Sequence, residues 1–535
     1  MQSWSLVPIL TLARKVTAVG YVAAALNFII LSVIGEYDVR VGPVHLAATY
    51  LFKPLLYLNA AFLLTFALNF SRRLDNPKNV SEGVFHSRLR FWAPAIAIVA
   101  CVYGISFRIN LDFFDWTHRS ITSHATAWNF FLHRQYDGFY RPLTFLSLWI
   151  DNQIFGPALW GYHIQNLLIH LLNGFLIARL AFRLGLKQSA AEWAGLAFLA
   201  VPALFEAVIW PGARFDLMSG GFIFFALERA LAGSIWVSTA SFALGVLCKE
   251  TAYAYPLLLV ALFLLRNPLN LKLPKRKWLT TIAVGIGIAV VLVLIRVAIY
   301  GNLGGYPDVA KGGNVNFAFT PKTFASVFTR MPAALFLVNS GNGLPIWLTI
   351  TLIAYVAFLS IVLFSGASAG KRTWLMVLPF IAVIPMLNMF GWMTQYAQQG
   401  RYLYQPVIWI LFALVPAISA VRFSGVLMTA WVAIMSAAAL FNTLAYVRMI
   451  SAVHDDVVQA AAACKGAKCC RVLDIYDIPR DMYGAFYFKY QFVHDLKLAL
   501  PDVEIVSDNA PRPDSACTLK LWWPHYPMYI PIRIQ

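Results

Sequence analysis

Charged residues are scarce in this sequence of 535 residues: they make up 12% of the chain, whereas hydrophobic residues make up 60%. Soluble domains contain about 25% charged residues, so this composition excludes a soluble globular protein. The mean hydropathy of +0.67 indicates that most of the chain lies in lipid. A transmembrane helix needs roughly 20 apolar residues, because its backbone groups must be paired within the helix. We therefore predict an integral, polytopic membrane protein.

Acidic residues are also few: 24 of them face 42 basic residues, which gives a net charge of +18. In a soluble protein such an excess would suggest a nucleic-acid partner. Here no nucleic-acid-binding motif is present, and the basic residues lie mostly in short gaps between apolar segments, as is typical of cytoplasmic loops. The sequence thus predicts contact with membrane lipid and no binding of nucleic acid.

The chain has only six cysteines, and four of them fall near its C-terminal end, at Cys464, Cys469, Cys470 and Cys517. Their spacing does not suit a zinc site, which needs two well-formed pairs. An oxidising compartment would permit a structural disulfide, and four cysteines allow three pairings. Strain disfavours a bridge between the adjacent Cys469 and Cys470. We predict a disulfide here and leave its pairing open.

Thirteen apolar segments can be drawn along the chain. They lie near 8–34, 46–70, 91–107, 158–184, 190–210, 216–232, 235–249, 252–266, 278–300, 342–365, 373–391, 403–421 and 425–447. Basic residues occupy alternate gaps, and those gaps should be cytoplasmic because Lys and Arg resist translocation. The other gaps, including the long segments 108–157 and 301–341, then face outward, as does everything after residue 448.

After residue 447 the long apolar runs are replaced by short helix and strand patterns. The predicted fold is therefore a polytopic α-helical membrane protein of about 13 transmembrane helices with a small C-terminal extracytoplasmic α/β domain. Two N-terminal helices and a cytoplasmic loop occupy 1–90, the main transmembrane region occupies 91–447, and the α/β domain occupies 448–535.

The fourth apolar segment carries a polar stripe. His163, Asn166, His170 and Asn173 are spaced so that all four lie on one face of a helix. Polar residues are costly in lipid and usually line a cavity or link helices. We interpret the deeper pair, His170 and Asn173, as links between helices.

Acids and bases gather at the predicted outer face. Asp115 or Asp112 in the first outer segment could accept a proton from a hydroxyl group. At the same level Arg214, Lys249 and Arg401 could hold an anionic leaving group such as a phosphate.

A purely structural alternative fits the same spacing equally well. In it, Arg214 pairs with Asp216 or Glu206, and Lys249 pairs with Glu250. The sequence alone leaves both interpretations open.

Four stretches resemble one known group of membrane enzymes. They are "YRPLTFLSLWIDNQIFGPALWGYHIQNLLIHLLNG", "PALFEAVIWPGARFDLMSG", "CKETAYAYPLLL" and "GRYLYQP". In this order, over residues 91–421, they resemble the transmembrane and tetratricopeptide-repeat O-mannosyltransferases and their bacterial relatives. The resemblance implies a membrane glycosyltransferase of the GT-C fold in a bacterial inner membrane. It also implies a polyprenyl-phosphate-linked sugar donor and an acceptor hydroxyl that meet at the outer face.

The resemblance also implies roles for individual residues. The family's catalytic aspartate lies in the first outer loop, and the matching run here is "LDFFDWTH", in which Asp115 is the best match and Asp112 the second. Trp116 stands where the family has another Asp. Contacts to the donor phosphate are expected from Arg141, Arg214, Lys249 and Arg401. A further set should bind substrate or shape the site: Tyr140, His163, Asn166, Glu206, Asp216, Glu250 and Tyr402.

The chain departs from that group in two respects. It lacks the repeats that follow the membrane region in the eukaryotic proteins, and two extra segments precede the matching part. The acceptor could therefore be a glycan, a lipid or a protein hydroxyl. No metal ligand set is predicted, although the outer carboxylates could hold a divalent cation as a cofactor. A transporter or flippase of lipid-linked sugars is the alternative function. The inverted repeats and the broken helices near the midplane that are typical of transporters are not found, and the polar residues cluster at one face instead of the middle.

Overall fold

The computed structural model of the chain describes most of its apolar segments. The described residues are 7–34, 37–41, 44–48, 52–68, 89–108, 126–133, 139–156, 158–301, 307–308, 313–314, 346–367, 370–385, 400–467, 470–476, 493, 496–497, 499–506, 518–522 and 533–534.

The described structure is mainly helical. The helices are α1 Val7–Ile34, α2 Phe52–Leu68, α3 Leu89–Tyr103, α4 Asn129–Leu132, α5 Pro142–Phe155, α6 Trp160–Arg183, α7 Gln188–Leu199, α8 Phe205–Ile209, α9 Arg214–Leu231, α10 Ile235–Cys248, α11 Tyr255–Leu264, α12 Lys275–Tyr300, α13 Ile346–Phe364, α14 Leu378–Ala382, α15 Val407–Ser419 and α16 Ser424–Gly466. The strands are β1 Tyr37–Val41, β2 Val44–Ala48, β3 Pro307–Asp308, β4 Gly313–Asn314, β5 Val472–Tyr476, β6 Glu504–Val506, β7 Thr518–Trp522 and β8 Arg533–Ile534.

Five of the described helical stretches are long and apolar enough to cross a membrane, or six if the bent pair around Pro202 counts as one span. This agrees with an integral membrane protein. The count of thirteen spans and their orientation remain predictions. The bend of 50° separates 188–199 from 202–209, and it falls where Pro202 removes a backbone donor.

Helices α6 and α9 run in the same direction and define two ends of the bundle. Near their N-terminal ends Arg214 Nε donates to Asn166 Oδ1 at 2.8 Å, and near their C-terminal ends Arg183 Nε donates to Glu228 Oε1 at 3.1 Å. Helices α7 and α10 return between these ends. We name the first end the site end, and we name the second, which holds Arg179, Arg183 and Arg229, the basic end.

Helix α15 lies at the centre of the core. All of its residues from Val407 to Ile418 are buried except Pro416, which is partly buried. A helix that is apolar on every side is stable only when other elements surround it. Helices α7, α14 and α16 and the turn at 370–377 pack around it.

The deeper half of the polar stripe links helices, as predicted. Tyr404 Oη lies 2.8 Å from His170 Nδ1 and accepts a hydrogen bond of 2.9 Å from Asn173 Nδ2. Asn173 also donates to the carbonyl of Leu217 at 2.8 Å. These buried bonds connect α6 to α9 and to the segment before α15.

Two expectations about element limits need correction. The predicted span 46–70 begins as a strand, because β1 and β2 pair antiparallel and α2 starts only at Phe52. Helix α16 continues without a break past residue 448, where a new domain was expected to begin.

The residues after α16 form a four-stranded sheet with the order β6-β5-β7-β8. Strand β5 is parallel to β6 and β7, whereas β8 is antiparallel to β7. A disulfide joins Cys464 at the end of α16 to Cys470 just before β5. Cys469 and Cys517 lie outside the described residues, so the structure supplies one of the possible pairings. That this part forms a separate extracytoplasmic domain remains a prediction.

Candidate functional site

Four ion pairs lie close together at the site end. Each joins a cation to a carboxylate that is distant in sequence. Seven of the eight side chains are buried, and Glu250 is 15% exposed. The pairs are Arg141–Glu250, Lys249–Asp216, Arg401–Glu206 and Arg214–Asp151. Removing charges from water is costly unless each is paired, so these contacts explain how the charges are accommodated.

Arg141 directly precedes α5 and donates two hydrogen bonds to Glu250. Its Nε donates to Oε2 at 3.0 Å and its Nη2 donates to Oε1 at 2.7 Å, which is the bidentate geometry of a strong pair. The guanidinium also lies over the ring of Phe139 at 4.1 Å and that of Phe215 at 4.6 Å. Burial raises the pKa of Glu250, but the charge and hydrogen bonds of Arg141 outweigh it and lower that pKa to about 2.

Lys249 directly follows α10, and its ammonium donates to Asp216 at the start of α9. The same ammonium lies 4.9 Å from the centre of the Tyr402 ring. Burial, reinforced by the charges of Arg141 and Arg401 and opposed by Asp216, lowers the pKa of Lys249 to about 8. Lys249 therefore changes charge near neutral pH, unlike an ordinary lysine.

Arg401 reaches Glu206 from the other side of the cluster. Its Nη1 donates to Oε1 at 2.7 Å, and its guanidinium lies 4.7 Å from the centre of the Trp210 ring. The preceding residue, Gly400, packs so tightly on the backbone of Ala203 that a Cβ atom would collide with the carbonyl oxygen. Glycine is thus required for the approach that brings Arg401 to Glu206.

Arg214 is fully buried and extensively bonded. Besides the salt bridge to Asp151, it donates to Asn166 Oδ1 at 2.8 Å, Ser147 Oγ at 3.1 Å and the carbonyl of Tyr162 at 2.9 Å. These bonds engage all three guanidinium nitrogens and connect α5, α6 and α9. The geometry therefore makes Arg214 an anchor of the helices around the site.

Asp151 was not singled out in the sequence, although it is completely buried in α5. Gln165 of α6 donates to its second oxygen. A signal was available: Asp151 stands four residues after Ser147 in an apolar run, so both lie on one face of a helix.

Arg296 is a second residue that the sequence analysis missed. It is 7% exposed near the end of α12, and its charge acts on Glu250 and Tyr253. In the described part of the chain it forms no salt bridge, and its Nε makes no hydrogen bond. One turn later Tyr300 donates to the carbonyl of Phe139 at 2.9 Å, which fixes this end of α12 beside Arg141. An arginine inside a long apolar run is the signal that could have identified it.

The purely structural alternative predicted ion pairs for Arg214 and Lys249, and both residues do form ion pairs, but the predicted partners are wrong. Arg214 pairs with Asp151 instead of Asp216 or Glu206, and Lys249 pairs with Asp216 instead of Glu250. Every one of the four ion pairs connects two different stretches among the four that resemble the O-mannosyltransferases. Four stretches spread along the chain thus meet in one buried cluster.

The remaining predicted residues divide into two groups. Tyr140, His163, Asn166 and Tyr402 are buried at the site end, with Tyr140 donating to the carbonyl of Phe131 at 3.2 Å. Asp112 and Asp115 lie outside the described residues, and their role remains a prediction. The described chain ends at Arg108, after a 3-10 turn at 104–108, and resumes at Thr126.

A cavity of about 180 Å³ opens beside the Asp151–Arg214 pair. Ser147 and Gln165, which bond to that pair, form its polar part, and the rest of the wall is apolar: Leu143, Leu146, Ile150 and Met218. The cavity lies between α5, α6 and α9. Among the described residues, no group of three His, Cys, Asp or Glu side chains is placed to hold a metal ion.

No protein-family model matches the sequence, and no curated protein matches it. Among solved structures, the chain is similar to the crystal structure of ArnT from Cupriavidus metallidurans bound to undecaprenyl phosphate. The sequence identity is 14%, the TM-score is 0.36, and the match covers 82% of this chain and 94% of the other. A likeness of this degree does not establish a shared fold.

Proposed function

We propose that the protein is an inverting glycosyltransferase of the GT-C type. It would transfer a sugar from a polyprenyl-phosphate donor to an acceptor hydroxyl at the site end of the bundle, which we assign to the outer face of the membrane. The observation that carries this proposal is the meeting of the four sequence stretches in one cluster of ion pairs. Helix packing alone does not require charges from four distant stretches to converge at one end.

The charge of the cluster suits an anionic leaving group. Its five cations and four carboxylates leave one net positive charge among the described residues, and Arg296 is the cation without a salt bridge of its own. Buried cations in a low-dielectric site stabilise developing negative charge strongly. We assign contact with the departing phosphate to Arg296, Lys249, Arg141 and Arg401. Arg214 anchors the helices that position them.

The general base is Asp115 in this proposal, with Asp112 as the alternative. Support comes from the family resemblance and from the position of Arg141, which follows both aspartates in the chain and lies at the site end. The carboxylate of Asp115 removes the proton from the acceptor hydroxyl. The acceptor oxygen bonds to the anomeric carbon, and the bond from that carbon to the phosphate oxygen breaks. Polyprenyl phosphate leaves with the electron pair and inverted product is formed.

The cavity beside Asp151 is lined as we expect for a site that binds part of the lipid carrier. Its wall of three aliphatic side chains and a methionine favours a prenyl chain, while Ser147 and Gln165 mark its polar side. The sugar and the acceptor are not specified by these residues. A mannose donor is one member of the class, suggested by the resemblance.

The test is transfer by purified protein from a panel of radiolabelled polyprenyl-phosphate sugars to envelope extracts. We expect Asp115→Asn to reduce transfer by at least about 10³-fold, since it removes the base that activates the acceptor. Asp112→Asn is the matched control, and it should retain most activity. If Asp112→Asn abolishes transfer and Asp115→Asn does not, the base is Asp112. Normal turnover by both variants would contradict the acid–base scheme.

A further inference from the structure

The basic end contains a second charge cluster, which the proposed function does not use. Glu228 in α9 is completely buried, and three arginines donate to it. Arg179 Nη2 and Arg183 Nε each lie 3.1 Å from Oε1, and Arg229 Nη2 lies 2.6 Å from the same oxygen. One carboxylate therefore serves three guanidinium groups.

The cluster carries more positive charge than its structural role needs. A buried carboxylate needs one cation, and here it has three. The C-terminal ends of α6 and α9 together contribute about one negative charge, so about one positive charge remains. Lys277 adds to this excess, because its ammonium lies beside Gly233, just after α9.

The arginines also present unused donors to the outside. Their side chains are 28%, 36% and 22% exposed for Arg179, Arg183 and Arg229, whereas Glu228 is 1% exposed. Arg183 bonds to Glu228 through Nε alone, which leaves both of its terminal amino groups for another acceptor. Arg179 bonds through Nη2 alone. Guanidinium groups of this kind match the oxygens of a phosphate.

Aromatic residues lie near the cluster and at the same end of the bundle. The guanidinium of Arg179 lies 5.8 Å from the Phe175 ring, and that ring stacks on Trp92 at 5.1 Å. Trp236, at the start of α10 and so at the same end, is 78% exposed. Tryptophan at the ends of transmembrane helices is typical of the membrane–water interface.

We propose that the arginines around Glu228 form a binding site for the phosphate headgroup of an anionic phospholipid. Basic pockets between transmembrane helices bind such headgroups on the cytoplasmic side, which is where the excess of Lys and Arg assigns this end. A lipid is favoured over a free phosphate ion because the exposed surroundings include the aromatic belt residue Trp236. The phosphate of the bound headgroup neutralises the positive charge of the three arginines that Glu228 leaves unbalanced.

The test compares lipid binding by the full-length protein in a zwitterionic detergent, measured by native mass spectrometry. The probes are phosphatidylglycerol, phosphatidylcholine and inorganic phosphate. We expect wild-type protein to prefer phosphatidylglycerol over phosphatidylcholine at least about tenfold, the effect of one or two charge-assisted hydrogen bonds. The double variant Arg179→Gln/Arg183→Gln should lose most of this preference, while Arg229 still neutralises Glu228.

Arg422→Gln is the matched control, since it removes a cation from the turn between α15 and α16, at the same end but outside the cluster. It should leave the preference unchanged. If the double variant unfolds, Arg183→Gln, at the most exposed arginine, should still lower the preference about threefold. Equal binding of both lipids by wild-type protein, or an equal loss in Arg422→Gln, would overturn the proposal. Full occupancy by inorganic phosphate in place of lipid would also overturn it. None of these outcomes depends on glycosyl transfer.

Discussion

The two ends of the bundle hold buried charge in different ways. At the site end four cations each have a carboxylate, and the charge of a fifth, Arg296, acts on Glu250, which is already paired with Arg141. At the basic end three arginines share Glu228 and remain partly exposed. One-to-one pairing in a dry site fixes the position of each charge, which a reaction centre requires. Because three arginines share one carboxylate, some of their N–H donors remain available to the outside, which suits contact with a membrane surface.

The largest difference between the ends should appear in stability. Asp151→Asn leaves Arg214 completely buried without a counter-charge, so we expect a loss of about 3–5 kcal/mol in the free energy of unfolding. Glu228→Gln should cost less than half of this, because its three arginines can reach water. Unfolding of both variants in detergent checks the comparison. An equal loss would show that the ends do not differ in this way.

The second-largest effect concerns donor binding and tests the proposed role of Arg296. Arg296→Gln should lower kcat/KM for the lipid-linked donor about 10- to 100-fold, since a hydrogen bond to a charged group contributes about 1.5–3 kcal/mol. Its unfolding temperature should change little, because the side chain makes no hydrogen bond through Nε in the described structure. Arg276→Gln, exposed at the opposite end of the same helix, is the control. Unchanged donor kinetics in Arg296→Gln would remove Arg296 from the site.

The smallest effect concerns pH. The pKa of Lys249 is lowered to about 8, so the side chain is charged below that pH and loses its charge above it. Transfer should therefore decline above pH 8, by about tenfold per pH unit once Lys249 is neutral. Lys249→Arg keeps its charge, and its activity, even if lower throughout, should not decline there. The same decline in the variant would assign it to another group.

Much of the helical layout could be predicted from the sequence, because long apolar runs and the stripe on α6 depend on local patterns. The face that carries His163, Asn166, His170 and Asn173 is buried as the spacing indicates. The ion-pair partners could not be predicted, since they depend on which distant elements meet. Arg141 and Glu250 are separated by 109 positions, and Lys249 and Asp216 by 33.

The central claim is that the site end breaks the bond between sugar and phosphate. The most direct measurement uses a donor labelled separately in the sugar and in the lipid phosphate, with protein reconstituted in vesicles that contain acceptor extract. We predict that the sugar label moves to the acceptor while the phosphate label stays on free polyprenyl phosphate. If both labels instead cross the membrane together on an intact donor, the protein is a flippase and the account is contradicted.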